Sequence, residues 1–467
     1  MPPVPGPVEG EDVGLDVLTD GFQYRDQKTQ STVAVKDNQI VSVLPSQDKF
    51  KPGYTILFVN KRVETGESGS QKEFPYLSSV FAKNLPAEVL SRHLYSGPPA
   101  HLEANLHVIV STASGTGKGK TFFEDLLRPF LTYIDKTDYQ LHETTSDQHI
   151  IDLARSVLLP RAKEGITQTI LLLSGDGGLL DIIQVFFDEF EGENLPAVPS
   201  ICLIPTGTGN AMANSIGLFS DSTFGLTNII RGTAVSLPTF KATFSPDAEY
   251  ITDEGRQRSR INPYTKTGSP YPQIHGAVVA SWGVHAAIVA DSDTAEYRKY
   301  GVDRFKMAAK ECLYPSDGSG PHVYRGTIDL THTHGPDGTE HVQKLDGTEH
   351  MYVLATMVSE LEQGFTISPS SKPLDGRLRL VHFGPQPPET AMHLMTLAYQ
   401  NGKHINEDPV TYEEFDKMKI TFDEELEKWR RICIDGKIVV VEKDGWVEIE
   451  RENRKLLNIV TDVSHKL

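Results

Sequence analysis

Three glycine-rich loops in succession constrain this chain more than any other feature: STASGTGKGK at 111–120, SGDGG at 174–178 and PTGTGN at 205–210. Each loop leaves a short apolar run (107–110, 169–173 and 200–204) and enters a stretch with helical spacing (121–134, 179–190 and 211–217). A further strand-like run at 139–142 and a helical pattern at 146–158 fall between the first two loops. Strands alternating with helices at this spacing give an α/β layered unit with a largely parallel sheet. An ordinary strand-to-helix turn needs one glycine at most. Three such loops point instead to phosphate, which needs closely approaching backbone N–H groups and a helix N-terminus.

The chain has 467 residues, enough for two or three domains, with 38% hydrophobic and 23% charged residues, an ordinary globular composition. Its formal charge of −18 disfavours nucleic acid as a partner and argues against constitutive adhesion to anionic lipid. The cysteines, Cys202, Cys312 and Cys433, are far apart and form no CxxC, which fits a reducing compartment. The opening residues lack the basic and apolar regions of a signal peptide, and no uncharged stretch is apolar enough to span a membrane. A cytoplasmic protein is expected from these features.

Around the α/β unit, assigned to 101–242, the organisation changes. Residues 1–15 read as a disordered, Pro- and acid-rich tail, and 16–100 as a small β-rich module. Within that module, 63–72 reads as a loop and 77–95 as weakly helical. From 243 to 467 the pattern is β-rich, with a polar surface insertion at 244–272 and helices at 293–311 and 389–401. The fold class is therefore α/β: an N-terminal α/β lobe followed by a β-rich, antiparallel sandwich-like lobe.

The first loop nearly matches the P-loop pattern, with Ser114 at the leading glycine position and Lys120-Thr121 at its end. One open alternative is a true P-loop kinase in which Asp176 holds the metal. The second loop places Asp176 between glycines at a strand's C-terminal edge, where ligands bind in open α/β sheets. The third adds backbone donors and the Asn210 amide.

These loops, read as ASGTGKGK, LLLSGDGG and IPTGTGNAMA, resemble the catalytic domain of the diacylglycerol kinase and sphingosine kinase superfamily. NAD kinases share the middle motif distantly. Downstream segments, including EYRKYGVDRF at 296–305, AMHLMTLAYQNGKH at 391–404 and IDGK at 434–437, are most similar to the sphingosine kinase branch. The likeness covers about 105–450. It implies an ATP-dependent kinase, with Mg²⁺, acting on a lipid primary alcohol, best matched by a sphingoid long-chain base. It places the active site in the cleft between the lobes and implies transient contact with a membrane surface.

Residue by residue, the resemblance implies that Asp176 is the general base. ATP would be contacted by Ser111, Thr112, Ala113, Gly115, Gly117, Lys118, Thr144, Asp181, Gly207, Thr208 and Gly209, by Arg298 and Arg304, and by Asp435, Gly436 and Lys437. The lipid would meet Ser174, Gly175, Asp176, Gly177 and Asp293, with Met395 and Tyr399 on an apolar wall; no metal ligand is assigned directly. The chain departs from the family pattern at Ser111-Thr112, where Asn-Pro is usual, and at Gly178, where a small apolar residue or Thr is usual. It departs again at Asp181 and Lys437, which both replace Glu, and in extra residues before Asp293. Diacylglycerol or ceramide kinase activity, or a non-catalytic lipid- or nucleotide-binding protein, are the alternatives.

Overall fold

Strand Gln168–Ser174 is buried along its whole length, and its side chains divide between two cores. Ile170 and Leu172 pack on one face of the sheet, Leu171 and Leu173 on the other, as the two-residue period of a strand covered on both sides requires. The computed structural model describes residues 14–26, 30–48, 50–65, 71–112, 117, 119–146, 148–261, 269–301, 303–334 and 338–462.

Among the described residues, this strand belongs to a six-stranded sheet ordered Thr233–Ser236, Asn458–Thr461, Ser200–Pro205, Gln168–Ser174, Asn105–Val110 and Tyr139–Glu143. All neighbours pair in parallel except the edge strand Thr233–Ser236. Helical segments at 119–133 and Leu226–Arg231 cover one face, and those at 149–163 and Asp176–Glu189 the other. Two of these helices run past a proline, at Pro129 and Pro160. Each widens into a π turn just before it, at Phe123–Leu127 and Ala154–Leu158. A wider turn accommodates the ring and the missing N–H, so the second helix extends to Lys163, beyond the expected end at 158.

The strand Asn458–Thr461 comes from the end of the chain, yet it lies between Ser200–Pro205 and Thr233–Ser236 in the parallel sheet. The expectation had left it with the second lobe. That lobe consists of two antiparallel sheets, of seven and eight strands among the described residues. Trp282, on the eight-stranded sheet, is fully buried against Tyr324 and Phe422 of the other, with ring centroids 5.7 and 5.2 Å apart. Its indole N–H donates to the Trp429 carbonyl at 2.8 Å. The lobe is thus a sandwich, as expected, and one apolar cluster runs from it into the α/β lobe.

Two other expectations change. Residues 54–65 and 71–82 form a long antiparallel hairpin in register from Tyr54↔Ala82 to Thr65↔Gln71, where a loop and weak helix had been read. The helix there is confined to Ala87–His93. The expected helix at 293–311 is instead a helix Val284–Ser292, a break at Asp293, and a second helix Asp303–Leu313. Within the polar insertion, Glu249–Thr252 and Gln257–Arg260 form a hairpin on the eight-stranded sheet. The tail assigned to 1–15 lies outside the described residues up to 13, and the first strand begins at Leu15.

If the last strand completes the α/β sheet, a core deletion there must weaken that lobe. Ile459 is fully buried, and Ile459→Ala should cost about 2–5 kcal/mol. Urea unfolding of the purified chain, followed with limited proteolysis inside 105–242, checks this; unchanged stability and protection would contradict it.

Candidate functional site

The second and third glycine loops touch through their backbones. A Cβ on Gly207 would come within 2.4 Å of the Gly175 Cα, so the approach tolerates no side chain. Asn210, in the left-handed region at φ 54°, staples the third loop: its amide donates to the Gly207 carbonyl at 2.8 Å and its Oδ1 accepts from the Gly207 N–H at 3.0 Å. The turn therefore delivers the start of helix Ala211–Ser215 directly to Asp176. The Asp176 Oδ2 accepts from the Ala211 N–H at 2.7 Å and Oδ1 from the Met212 N–H at 3.1 Å.

Asp176 is also the first residue of helix Asp176–Glu189. Burial pushes its carboxyl up, against the opposing pull of those N–H donors. A carboxylate held in place yet made more basic than usual suits a general base.

Asp176 faces a cavity of about 750 Å³ between the lobes. The α/β lobe lines it with Gly175, Gly177, Gly207, Thr208, Gly209 and Asn210, and the second lobe with Ile288, Phe305, Tyr352, Phe365, Met392 and Met395. Phosphate-type donors and an apolar wall thus meet at one carboxylate. Tyr399 is also on the wall, where its hydroxyl donates to the Glu362 carboxylate.

Asp435, Gly436 and Lys437 line the same space. The Asp435 carboxylate accepts from the N–H groups of Ala277, Val278 and Val279 at 2.7, 3.0 and 2.6 Å, so its work is to pin these strands together. Burial, with a contribution from the charge of Asp176, pushes it up to about 7. Lys437 pairs with Asp181 at 2.7 Å. Two departures from the family pattern thus meet as an ion pair between the lobes.

Asp293 and Arg304 line the cavity, but Asp293, expected to meet the lipid, is already engaged by arginines. Its side chain is 47% exposed, and Arg298 grips both its oxygens at 2.9 and 3.0 Å while Arg304 reaches it at 3.3 Å. Burial alone would raise its carboxyl, but the bond to Arg298, then the charges of Arg298 and Arg304, hold it below its ordinary value. It directly follows the last residue of helix Val284–Ser292.

Ser111, Thr112, Gly117, Thr144, Ser174, Asp181 and Arg298 are not among the cavity-lining residues. Thr112 is tied to Thr144 by two bonds, its N–H to Oγ1 at 3.0 Å and its hydroxyl to the carbonyl at 2.8 Å. This pair gives the Ser111-Thr112 departure its own anchoring. Ala113, Gly115 and Lys118 lie outside the described residues. Lys120, the other candidate of the first loop, stands near Glu143 at 3.5 Å. Sequence reasoning missed His285, which lies in no quoted motif, and gave no role to Phe305, although it closes the EYRKYGVDRF segment.

Residues 105–242 match the diacylglycerol kinase catalytic domain. The similarity to that family is carried by this segment of the chain. The chain is 33% identical over 115 residues to sphingosine kinase 1 of Caenorhabditis elegans, covering 24% of this chain and 23% of the relative. To sphingosine kinase 1 of Rattus norvegicus it is 22% identical over 211 residues, 43% of this chain and 46% of the relative. The matches thus span about a quarter and about half of these relatives' lengths. A Bacillus anthracis structure described as a diacylglycerol kinase superposes with a TM-score of 0.50 at 14% identity, over 77% of this chain and 96% of that one. That likeness establishes the two-lobed fold.

Within this domain, Gly178 departs from the family pattern for a local steric reason. A Cβ there would stand 2.4 Å from the Ser174 Oγ and 2.8 Å from its Cβ. Gly178→Ala should destabilise the protein by about 1–3 kcal/mol, and Ser174→Gly in the same chain should recover most of the loss. Thermal unfolding of the two single variants and the double variant decides; additive losses would contradict the pairing.

Proposed function

We propose that this chain transfers the γ-phosphoryl group of ATP to the primary hydroxyl of a lipid, with a sphingoid long-chain base as the acceptor. The observation that carries the reading is Asp176, held by two backbone N–H groups where the glycine loops meet the apolar cavity. The lipid tail would lie against Phe305, Met392 and Met395, with its hydroxyl at Asp176. Asp176 takes the hydroxyl proton as the lipid oxygen bonds to the γ-phosphorus, and the bond to the β-phosphate oxygen breaks to release ADP.

The catalytic parts are positioning and charge neutralisation. The Gly207, Thr208 and Gly209 turn offers phosphate contacts, and Arg304 lends a guanidinium whose buried Nε has no hydrogen-bond partner among the described residues. Arg298 would join it on releasing Asp293. Ser111, Thr112, Ala113, Gly115, Gly117, Lys118 and Thr144 are assigned to the nucleotide from the family pattern. No group of three His, Cys, Asp or Glu is gathered for a metal among the described residues. A magnesium ion would arrive with the nucleotide and neutralise its phosphate charge; Asp181, the acid the family pattern places near it, is paired with Lys437 and does not line the cavity.

The sphingoid choice rests on the sphingosine kinases among the relatives. The arginines already paired with Asp293 support a second reading, in which the acceptor is an uncharged diacylglycerol or ceramide. Among the described residues no helix is long and apolar enough to cross a membrane. The family pattern supports transient contact with a membrane surface as the way a lipid acceptor would be met.

Asp176→Asn should keep the fold and ATP binding and lower kcat by about 10²–10⁴-fold. In the unsubstituted protein, the acid limb of kcat/KM should fall above the ordinary carboxylate range, because burial raises this carboxyl. Full turnover in the variant would remove Asp176 from the reaction.

A further inference from the structure

His285 is the one imidazole on the cavity wall among the described residues, and no part of the transfer step uses it. It sits in the first turn of helix Val284–Ser292, directly after the strand Val279–Gly283. Its Nδ1 is tied to the Ser281 Oγ at 2.7 Å, and its ring packs edge-on to Tyr352 with centroids 6.0 Å apart. Ser281 in turn contacts the Cys433 thiol, its partner across the ladder. These contacts fix the ring and leave Nε2 without a protein hydrogen-bond partner among the described residues.

The placement is specific. Cys433 lies two residues before Asp435, and Asp435 accepts from the Val279 N–H of the strand that carries Ser281. The charge of Asp176 is felt at Asp435. His285 thus lines the same cavity as Asp176 and as the apolar Ile288 and Phe305. Burial holds its pKa down at about 4, so near neutral pH it is an uncharged hydrogen-bonding group.

We propose that His285 reads a second oxygen of the acceptor lipid, the hydroxyl that follows the reacting one along the chain, and so sets specificity. The inference rests on the lipid reading of this cavity given above. A hydroxyl both donates and accepts, so it satisfies Nε2 whichever nitrogen carries the proton. A site built around such a bond discriminates against an analogue lacking the oxygen, because its buried polar atom is then left unpaired.

Equilibrium binding by calorimetry, with short-chain sphinganine and 3-deoxysphinganine as probes, tests this without turnover. The unsubstituted protein should bind sphinganine roughly tenfold more tightly. His285→Leu should erase the difference by weakening sphinganine alone. His285→Gln, whose amide reaches the Nε2 position, should keep most of it, and the shorter His285→Asn should lose it. Melting curves show whether each variant is folded, and the Gln and Asn pair decides if Leu is not. Equal binding of both lipids by the unsubstituted protein, an undiminished ratio in folded His285→Leu or His285→Asn, or no binding of either lipid overturns the proposal. Specific binding with no phosphate transfer to any lipid would instead refute the kinase reading and leave the role of His285 standing on the ratio.

Discussion

The Asp176 carboxylate and the two N–H groups it receives from Ala211 and Met212 are the contact on which the site depends. It joins the starts of two helices, Asp176–Glu189 and Ala211–Ser215, and so fixes the glycine loops relative to each other. A helix start favours a negative charge, while burial opposes it. Here burial prevails and the carboxyl is raised. The same contact that holds the group in place thus leaves it able to accept a proton.

Everything around that contact works to hold the two lobes as one body. The last strand, Asn458–Thr461, returns to the first sheet, so the α/β lobe is incomplete until the sandwich has been made. Lys437 and Asp181 bridge the lobes on the cavity side, and an apolar cluster continues through both. A cleft between lobes locked in this way is pre-shaped, which lowers the ordering cost of binding a flexible lipid.

Much of this was legible in the sequence because it is local. Glycine spacing and apolar runs expose the strand–loop–helix units, and a carboxylate between glycines has no packing role, so Asp176 stands out. Pairings between distant residues were not legible. Lys437 and Asp181 are 256 positions apart, and each alone reads as a lost Glu. Asp293 reads as a lipid contact until the break after Ser292 brings Arg298 and Arg304 to it. The hairpin of 54–65 and 71–82 was hidden by Ser78-Ser79, which interrupt an otherwise β-prone run, and by the glycines between its strands. His285 carries no motif at all; only its tie to Ser281 and its place on the wall give it meaning.

The most direct test of the central claim is to follow the γ-phosphate of labelled ATP in the presence of sphinganine, ceramide and diacylglycerol together. The account expects label on the primary hydroxyl of sphinganine, as shown by phosphorus NMR of the extracted lipid, in preference to the other two. Label on none of the three lipids, with the protein folded and ATP bound, would contradict it.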